Sequence, residues 1–337
     1  MTNEQQQKFE QISALVGNTP LLEIRFTYFG KKRRVFAKAE WLNLSGSIKD
    51  RVALHILREA YRDGSIRPGD RIIEATSGNT GIAFSAIGRN LGHPVTIYMP
   101  NWMSAERVNL MSAFGAEVVL VSKEQGGFLG SIEMTERLAQ EDGIFLPRQF
   151  SNPENTATHE LTTGAEIASQ LKRIGLSADA VVAGVGTGGT VMGIGNALKK
   201  VNFACKVYPL EPKNSPTLSP GFKVGAHKIQ GISDEFIPSL LRLHELDDVV
   251  SVGDEESIIM AQKLSRELGI GVGISSGANF LGCVLAQNML GDDAIVTTVF
   301  ADDNKKYLST DYSQTFEEKS DYLSSAIQLE TVIAHAI

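Results

Sequence analysis

Two periodicities alternate along this chain. Short, largely apolar runs recur at 34–40, 71–76, 94–99, 117–121, 179–185, 205–211 and 294–300, and they read as buried strands. Between most of them, apolar residues recur every third or fourth position, at 49–63, 80–91, 103–114, 127–141, 160–174, 190–200, 254–268 and 276–290, and these stretches read as helices. Such alternation predicts an α/β chain with mostly parallel sheets covered by helices. The turn cluster Ser151-Asn152-Pro153-Glu154-Asn155 sits between the two halves. The expectation is therefore two lobes, residues 1–155 and 156–311, each a mostly parallel twisted sheet flanked by helices. The tail, 312–337, has no assignable role, and no internal repeat or low-complexity tract is visible.

Composition adds limits. With 337 residues, 42% hydrophobic and 21% charged, the chain can bury a large core. A net charge of −7 argues against nucleic acid as a partner. The first ten residues are polar and lack a signal core, and no run of 18 apolar residues occurs, so no membrane partner and a cytoplasmic location are expected. Cys205 and Cys283 make no disulfide framework. The histidines at 55, 93, 159, 227, 244 and 335 have no zinc-type spacing, and no metal is expected.

Three loops carry candidate chemistry. In Asn43-Leu44-Ser45-Gly46-Ser47-Ile48-Lys49-Asp50-Arg51, Lys49 stands where a helix begins, which disfavours its cationic form and suits a Schiff-base lysine. Thr76-Ser77-Gly78-Asn79-Thr80-Gly81 follows a strand and precedes a helix; its N–H and hydroxyl groups suit a carboxylate, and the Asn79 amide can donate to a phenolate-type oxygen. The strand at 179–185 runs into Gly186-Thr187-Gly188-Gly189-Thr190 at the head of a helix, an arrangement of backbone N–H groups and hydroxyls that suits a phosphate. The Walker pattern is excluded, because Gly189 is followed by Thr190 with no lysine. A dinucleotide fingerprint remains a minor alternative, its acid about 20 residues on being Glu211.

In this order along the chain, the three loops resemble the tryptophan-synthase-β-like family of pyridoxal phosphate enzymes. More narrowly, the chain is similar to cysteine synthase and cystathionine β-synthase, and to the hydrogen-sulfide-producing cysteine synthase-like enzymes of anaerobic bacteria. The resemblance extends through Val16-Gly17-Asn18-Thr19-Pro20-Leu21, Tyr98-Met99-Pro100, Met103-Ser104-Ala105-Glu106-Arg107, Gly115-Ala116-Glu117, Gln149-Phe150-Ser151-Asn152-Pro153, Gly273-Ile274-Ser275-Ser276-Gly277-Ala278 and Tyr307-Leu308-Ser309-Thr310. It covers about residues 11–311. It implies fold type II, an active site in the cleft between two lobes, the first 40 or so residues packed on the C-terminal lobe, a homodimer, and pyridoxal 5'-phosphate as cofactor. The implied reaction is β-replacement or β-elimination on a β-substituted L-amino acid through an aminoacrylate, as when O-acetylserine and sulfide give cysteine. Lys49 is the implied Schiff-base lysine and Cα base. Asn79 would meet the ring oxygen, residues 186–190 the phosphate and Ser275 the pyridine nitrogen. Thr76, Ser77, Thr80 and Gln149 match the positions that hold the substrate α-carboxylate.

Two departures from the family pattern bear on substrate. Leu44 replaces a proline and removes no reacting group. In Gly231-Ile232-Ser233-Asp234-Glu235-Phe236-Ile237-Pro238, two acids stand where cysteine synthases carry small residues. Asp234 is a candidate general base on water, which would turn cysteine into serine and hydrogen sulfide. It could instead hold the amine of a larger thiol, as in cystathionine or lanthionine formation. An NAD-binding dehydrogenase and a cofactor-free binding protein are the alternatives of another class.

Overall fold

The computed structural model describes residues 2–222, 224–232 and 236–336. The chain runs through α1 (Asn3–Ser13), β1 (Leu21–Tyr28), β2 (Lys31–Ala39), α2 (Lys49–Asp63), β3 (Arg71–Ala75), α3 (Asn79–Asn90) and β4 (Val95–Pro100). Next come α4 (Ala105–Ala113), β5 (Glu117–Val121), α5 (Gly127–Leu138), β6 (Ile144–Phe145), α6 (Pro153–His159), α7 (Ala165–Arg173), β7 (Ala180–Gly184) and α8 (Gly189–Val201). It ends with β8 (Lys206–Pro212), β9 (Val250–Val252), α9 (Asp254–Leu268), α10 (Ile274–Leu290), β10 (Val296–Phe300) and β11 (Ile327–His335).

These elements form two compact units. The first comprises the chain up to Gly17 and Asn43–Thr158. Its sheet has four parallel strands in the order β5-β4-β3-β6. Parallel strands covered on both faces need no polar side, and Ile72, Ile73, Ile97 and Met99 are accordingly buried. On α2, Val52, Ile56 and Leu57 form a buried stripe, and the helix ends at Gly64, whose φ of 83° is the left-handed cap that a side chain would resist. The α2 stripe packs on α3, with Phe9, Ile82 and Phe84 in the same core.

The second unit comprises Asn18–Leu42 and the chain from His159 onward. Its seven strands lie in the order β11-β1-β2-β10-β7-β8-β9. From β2 to β9 the pairings are parallel, whereas β1 pairs antiparallel with both β2 and β11. A core of Val182, Leu210, Phe280, Leu281, Val296 and Phe300 packs α10 on this sheet. Lys38 of β2 is fully buried, bonds Gln170 Oε1 at 3.0 Å and pairs with Glu166 at 2.7 Å. It also donates to the Thr19 carbonyl at 2.5 Å, which anchors the Asn18-Thr19-Pro20 turn.

The observed grouping differs from a single cut at residue 155. It changes after Thr158, Asn18–Leu42 joins the second unit, and the residues before them join the first. The segment from 312 belongs to the second unit, where β11 adds to the sheet edge in register with β1, Leu21 opposite His335. Gln170 Nε2 donates to the His335 carbonyl at 3.0 Å and ties the strand down. The helix expected over 160–174 is interrupted by a π-turn at Glu160–Gly164. A Cβ on Gly164 would lie 2.5 Å from Ala197 Cβ, so a close approach of α8, invisible to periodicity, sets that glycine and its turn.

Candidate active site

In the first unit, β3 delivers the chain into Thr76–Gly78, and α3 starts at Asn79. Thr76 Oγ1 accepts the Gly78 N–H at 3.1 Å, and the Thr76 N–H extends the sheet by donating to the Tyr98 carbonyl at 3.0 Å. Gly81 has no room for a side chain, since a Cβ would lie 2.8 Å from Thr76 Cγ2. Behind the turn lies Arg107, 3% exposed, whose guanidinium donates to the Ser77 carbonyl at 3.1 Å. Thr80 Oγ1 donates to Gln149 Oε1 at 2.6 Å, both residues being buried. The fold thus brings Thr76, Ser77, Thr80 and Gln149 to one turn.

Lys49 is the first residue of α2, half-buried, and its N–H donates to Ser47 Oγ at 3.3 Å. Its loop is pinned from the helix side: Asp50, fully buried, accepts from Ser45 N at 2.8 Å and from Ser45 Oγ at 2.5 Å. From the other side, Asn43 Oδ1 accepts the Gly17 N–H at 2.7 Å. Leu44 packs against the first unit's core, so its place in the loop is filled by apolar contact.

In the second unit, β7 ends at Gly184 and α8 begins at Gly189. Gly188 has a φ of +83°, and a Cβ there would meet Leu241 Cβ at 3.0 Å; one on Gly186 would sit 2.6 Å from the Gly231 carbonyl oxygen. The N–H groups of Gly186 and Gly188 have no protein acceptor among the described residues. Together with the N-terminus of a thirteen-residue helix and the hydroxyls of Thr187 and Thr190, they make a cradle whose chemistry suits a dianionic phosphate. Asn279 of α10 accepts the Gly184 N–H at 2.8 Å and donates to the Val299 carbonyl at 2.8 Å, and so fixes the loop to the sheet.

Ser275 lies in the first turn of α10, 6% exposed, and its hydroxyl has no hydrogen-bond partner among the described residues. A buried hydroxyl without a partner is one that a ring nitrogen can satisfy. The helix start is held by Asp302: its carbonyl accepts the Gly273 N–H at 3.0 Å, and its carboxylate accepts from Tyr307 OH at 2.6 Å. A Cβ on Gly273 would collide with that carboxylate at 2.1 Å.

Asp234 lies outside the described residues. Its described flanks abut the phosphate cradle: Ile232 Cγ2 would be 2.7 Å from a Cβ on Gly184, and Phe236 and Pro238 line a small pocket with Val185 and Gly186. Glu211, the acid of the dinucleotide alternative, is 1% exposed, and its carboxylate is taken by the N–H groups of Thr217 and Leu218 at 2.8 and 2.7 Å. It has no side left for a ribose. Cys205 and Cys283 are buried, and burial pushes the Cys205 thiol up to about 12, so neither is a ready nucleophile.

Sequence reading missed Glu74, Arg107, His159, Asn279 and Asp302 as supports of these loops. His159 Nε2 lies 3.3 Å from Thr190 Oγ1. Only Arg107 carried a signal, standing inside one of the family-like motifs.

The residues present fit pyridoxal phosphate, and comparison with known proteins agrees. A family model described as pyridoxal-phosphate dependent enzyme matches residues 12–302. Cysteine synthase of Staphylococcus aureus is 40% identical over 305 residues, covering 90% of this chain and 97% of that protein. The crystal structure of a hydrogen sulfide-producing enzyme from Fusobacterium nucleatum is 55% identical, with a TM-score of 0.95, over 97% of this chain and 99% of that one. An aspartate-to-asparagine variant of a hydrogen sulfide-producing enzyme, solved with an α-aminoacrylate intermediate, is 54% identical with a TM-score of 0.94 and the same coverage. The chain belongs to the pyridoxal-phosphate-dependent enzyme family, as a cysteine synthase-like enzyme of fold type II whose cofactor is pyridoxal 5'-phosphate.

Proposed function

We propose that the enzyme, loaded with pyridoxal phosphate, removes the β-substituent of an L-amino acid and adds a nucleophile at Cβ. In the cysteine synthase-like form, O-acetylserine and sulfide give cysteine. The observation that carries this is the neutral donor set at the head of α3, buried Thr76, Thr80 and Gln149 with half-buried Ser77, beside a helix packed against the one that Lys49 begins. A neutral set at a helix N-terminus suits an α-carboxylate and leaves the amino group free.

Bound at Lys49, the cofactor would supply an electron sink that acidifies the Cα proton. Lys49 provides the amine that anchors it and then the base that takes that proton. Asn79 would meet the ring oxygen, Gly186, Thr187, Gly188, Gly189 and Thr190 would hold the phosphate, and Ser275 would meet the ring nitrogen. A hydroxyl there, unlike a carboxylate, would not hold that nitrogen protonated, which suits loss of the β-substituent. The family resemblance carries with it a homodimer and a cytoplasmic setting.

A second direction is favoured by two observations: the 55% identity to a hydrogen sulfide-producing enzyme, and the acids Asp234 and Glu235. There water is the nucleophile, cysteine gives serine and hydrogen sulfide, and Asp234 is the base on water. Product analysis separates the two. Cysteine from O-acetylserine and sulfide supports synthesis; serine and sulfide from cysteine alone, with serine stopped by Asp234→Asn, supports hydrolysis. Turnover of neither substrate by the cofactor-loaded protein overturns both.

A further inference from the structure

β3 is buried from Ile72 to Ala75, and within that run stands a carboxylic acid, Glu74, 3% exposed. Among the described residues no lysine or arginine lies within ion-pair range of it. Its partners are two backbone N–H groups: Ala75 donates to Oε1 at 2.9 Å and Gln149 to Oε2 at 3.2 Å. The second bond bolts Gln149 in place. Gln149 Nε2 in turn donates to the Ala75 carbonyl at 2.9 Å, its Oε1 accepts from Thr80 at 2.6 Å, and its own carbonyl accepts from Asn155 Nδ2 at 2.8 Å. Glu74 thus stands two residues before Thr76, the start of the turn taken as the α-carboxylate site, and is linked to it through Gln149.

A carboxylate has about four lone-pair sites, and two N–H donors do not offset the loss of water around a full charge. Burial accordingly pushes the Glu74 carboxyl up to about 8, against the lowering effect of the Gln149 and Ala75 N–H bonds. The charged groups that face it are Glu136 of α5 and Arg148; these pair with each other at 2.9 Å and leave little net field. The charge still to arrive is the substrate's own carboxylate, on the far side of Gln149. Two anions separated by one buried amide repel strongly, because little water lies between to screen them.

We propose that Glu74 is a positioning residue that acts as a neutral acid, so that the α-carboxylate of the substrate binds to the form in which Glu74 carries its proton, and ionisation of Glu74 expels substrate without altering the chemical step. The inference rests on the reading of Thr76, Ser77, Thr80 and Gln149 as the carboxylate site.

The test uses the cofactor-loaded enzyme and propionate, a carboxylate with no amine and hence unable to displace Lys49. Its inhibition constant should rise about tenfold per pH unit above Glu74 ionisation, with kcat flat, and Glu74→Gln should abolish that slope while the cofactor's absorbance is unchanged. Equal slopes in the two proteins, or a fall in kcat at unchanged propionate affinity, overturn the proposal. Should the variant not fold, the wild type decides alone. Calorimetry of propionate binding in two buffers near pH 9 should show about one proton taken up per site, and no uptake overturns it. Gln149→Ala and Thr80→Val show where a failure lies. If they leave propionate affinity intact, the carboxylate site itself is misplaced and the inference falls with it; if they weaken it while the slopes stay equal, only the role of Glu74 is lost.

Discussion

The two turns proposed to hold anions, 76–81 in the first unit and 186–190 in the second, have the same local plan and opposite construction. Each follows a parallel strand and opens a helix, at α3 and α8. The second turn works by backbone: among the described residues nothing accepts the N–H groups of Gly186 and Gly188, and the lack of a Cβ is what lets neighbouring chain come so close. The first works by side chains that are already committed to one another, Thr80 to Gln149 and Arg107 to the Ser77 carbonyl, over the buried Glu74. A phosphate of fixed shape that stays for the enzyme's lifetime is well held by rigid backbone. A carboxylate that must enter and leave each turnover is better met by hydroxyls and an amide that have each other as partners between visits.

Breaking the shared function gives the largest effect. Lys49→Ala should abolish the cofactor's Schiff-base absorbance and lower turnover by about a thousandfold or more; activity within tenfold of wild type would remove Lys49 from both halves of the comparison. Next come the backbone variants. Gly186→Ala places a Cβ 2.6 Å from a carbonyl oxygen, and Gly188→Ala must adopt a φ of +83°. Strain of about 1–3 kcal/mol in such a turn corresponds to roughly 5–150-fold weaker cofactor affinity, read by equilibrium dialysis, with KM little changed once the site is saturated.

Side-chain variants of the first turn should do the reverse. Thr80→Val removes the 2.6 Å bond and strands the Gln149 amide, at about 1–3 kcal/mol. Substrate KM should rise roughly tenfold at unchanged cofactor affinity. If KM and cofactor affinity move together in both sets, the division of labour is wrong. The smallest effect is on stability. Because Glu74 is raised in the folded chain from the ordinary 4.5 to about 8, its contribution is complete below 4.5 and is lost as pH climbs through about 8. Glu74→Gln should therefore gain in Tm relative to wild type between these limits and hold the gain above them, as calorimetry at acid and alkaline pH would show.

The two turns also differ in how plainly they could be read. Gly186-Thr187-Gly188-Gly189-Thr190 declares itself, because only glycine serves where backbone must converge. Thr76, Ser77 and Thr80 were visible as small polar residues, but Gln149 is 69 positions from Thr80 and was placed only by resemblance. Glu74 reads as one polar residue in an apolar strand, with nothing local to say that it reaches Gln149. The strands β1, β6, β9 and β11 escaped for a related reason. β6 and β9 have two and three residues, too few for a period, and β11 lies on the sheet edge, where five of its nine residues stay exposed.

By itself the sequence determined what short-range physics controls: the alternation of buried strand and amphipathic helix, the glycine-rich loop at the head of α8, the helix start at Lys49 and the order of the three loops. Tertiary structure alone decided what depends on residues far apart in the chain. It divided Asn18–Leu42 from its neighbours, added Ile327–His335 to the sheet edge beside β1, and set Glu74 under Gln149. Local pattern records which groups want burial, but which buried group meets which is fixed only when strands distant in sequence come to share one core, and there a hydrogen bond of about 3 Å, rather than a periodicity, determines whether a charge can exist.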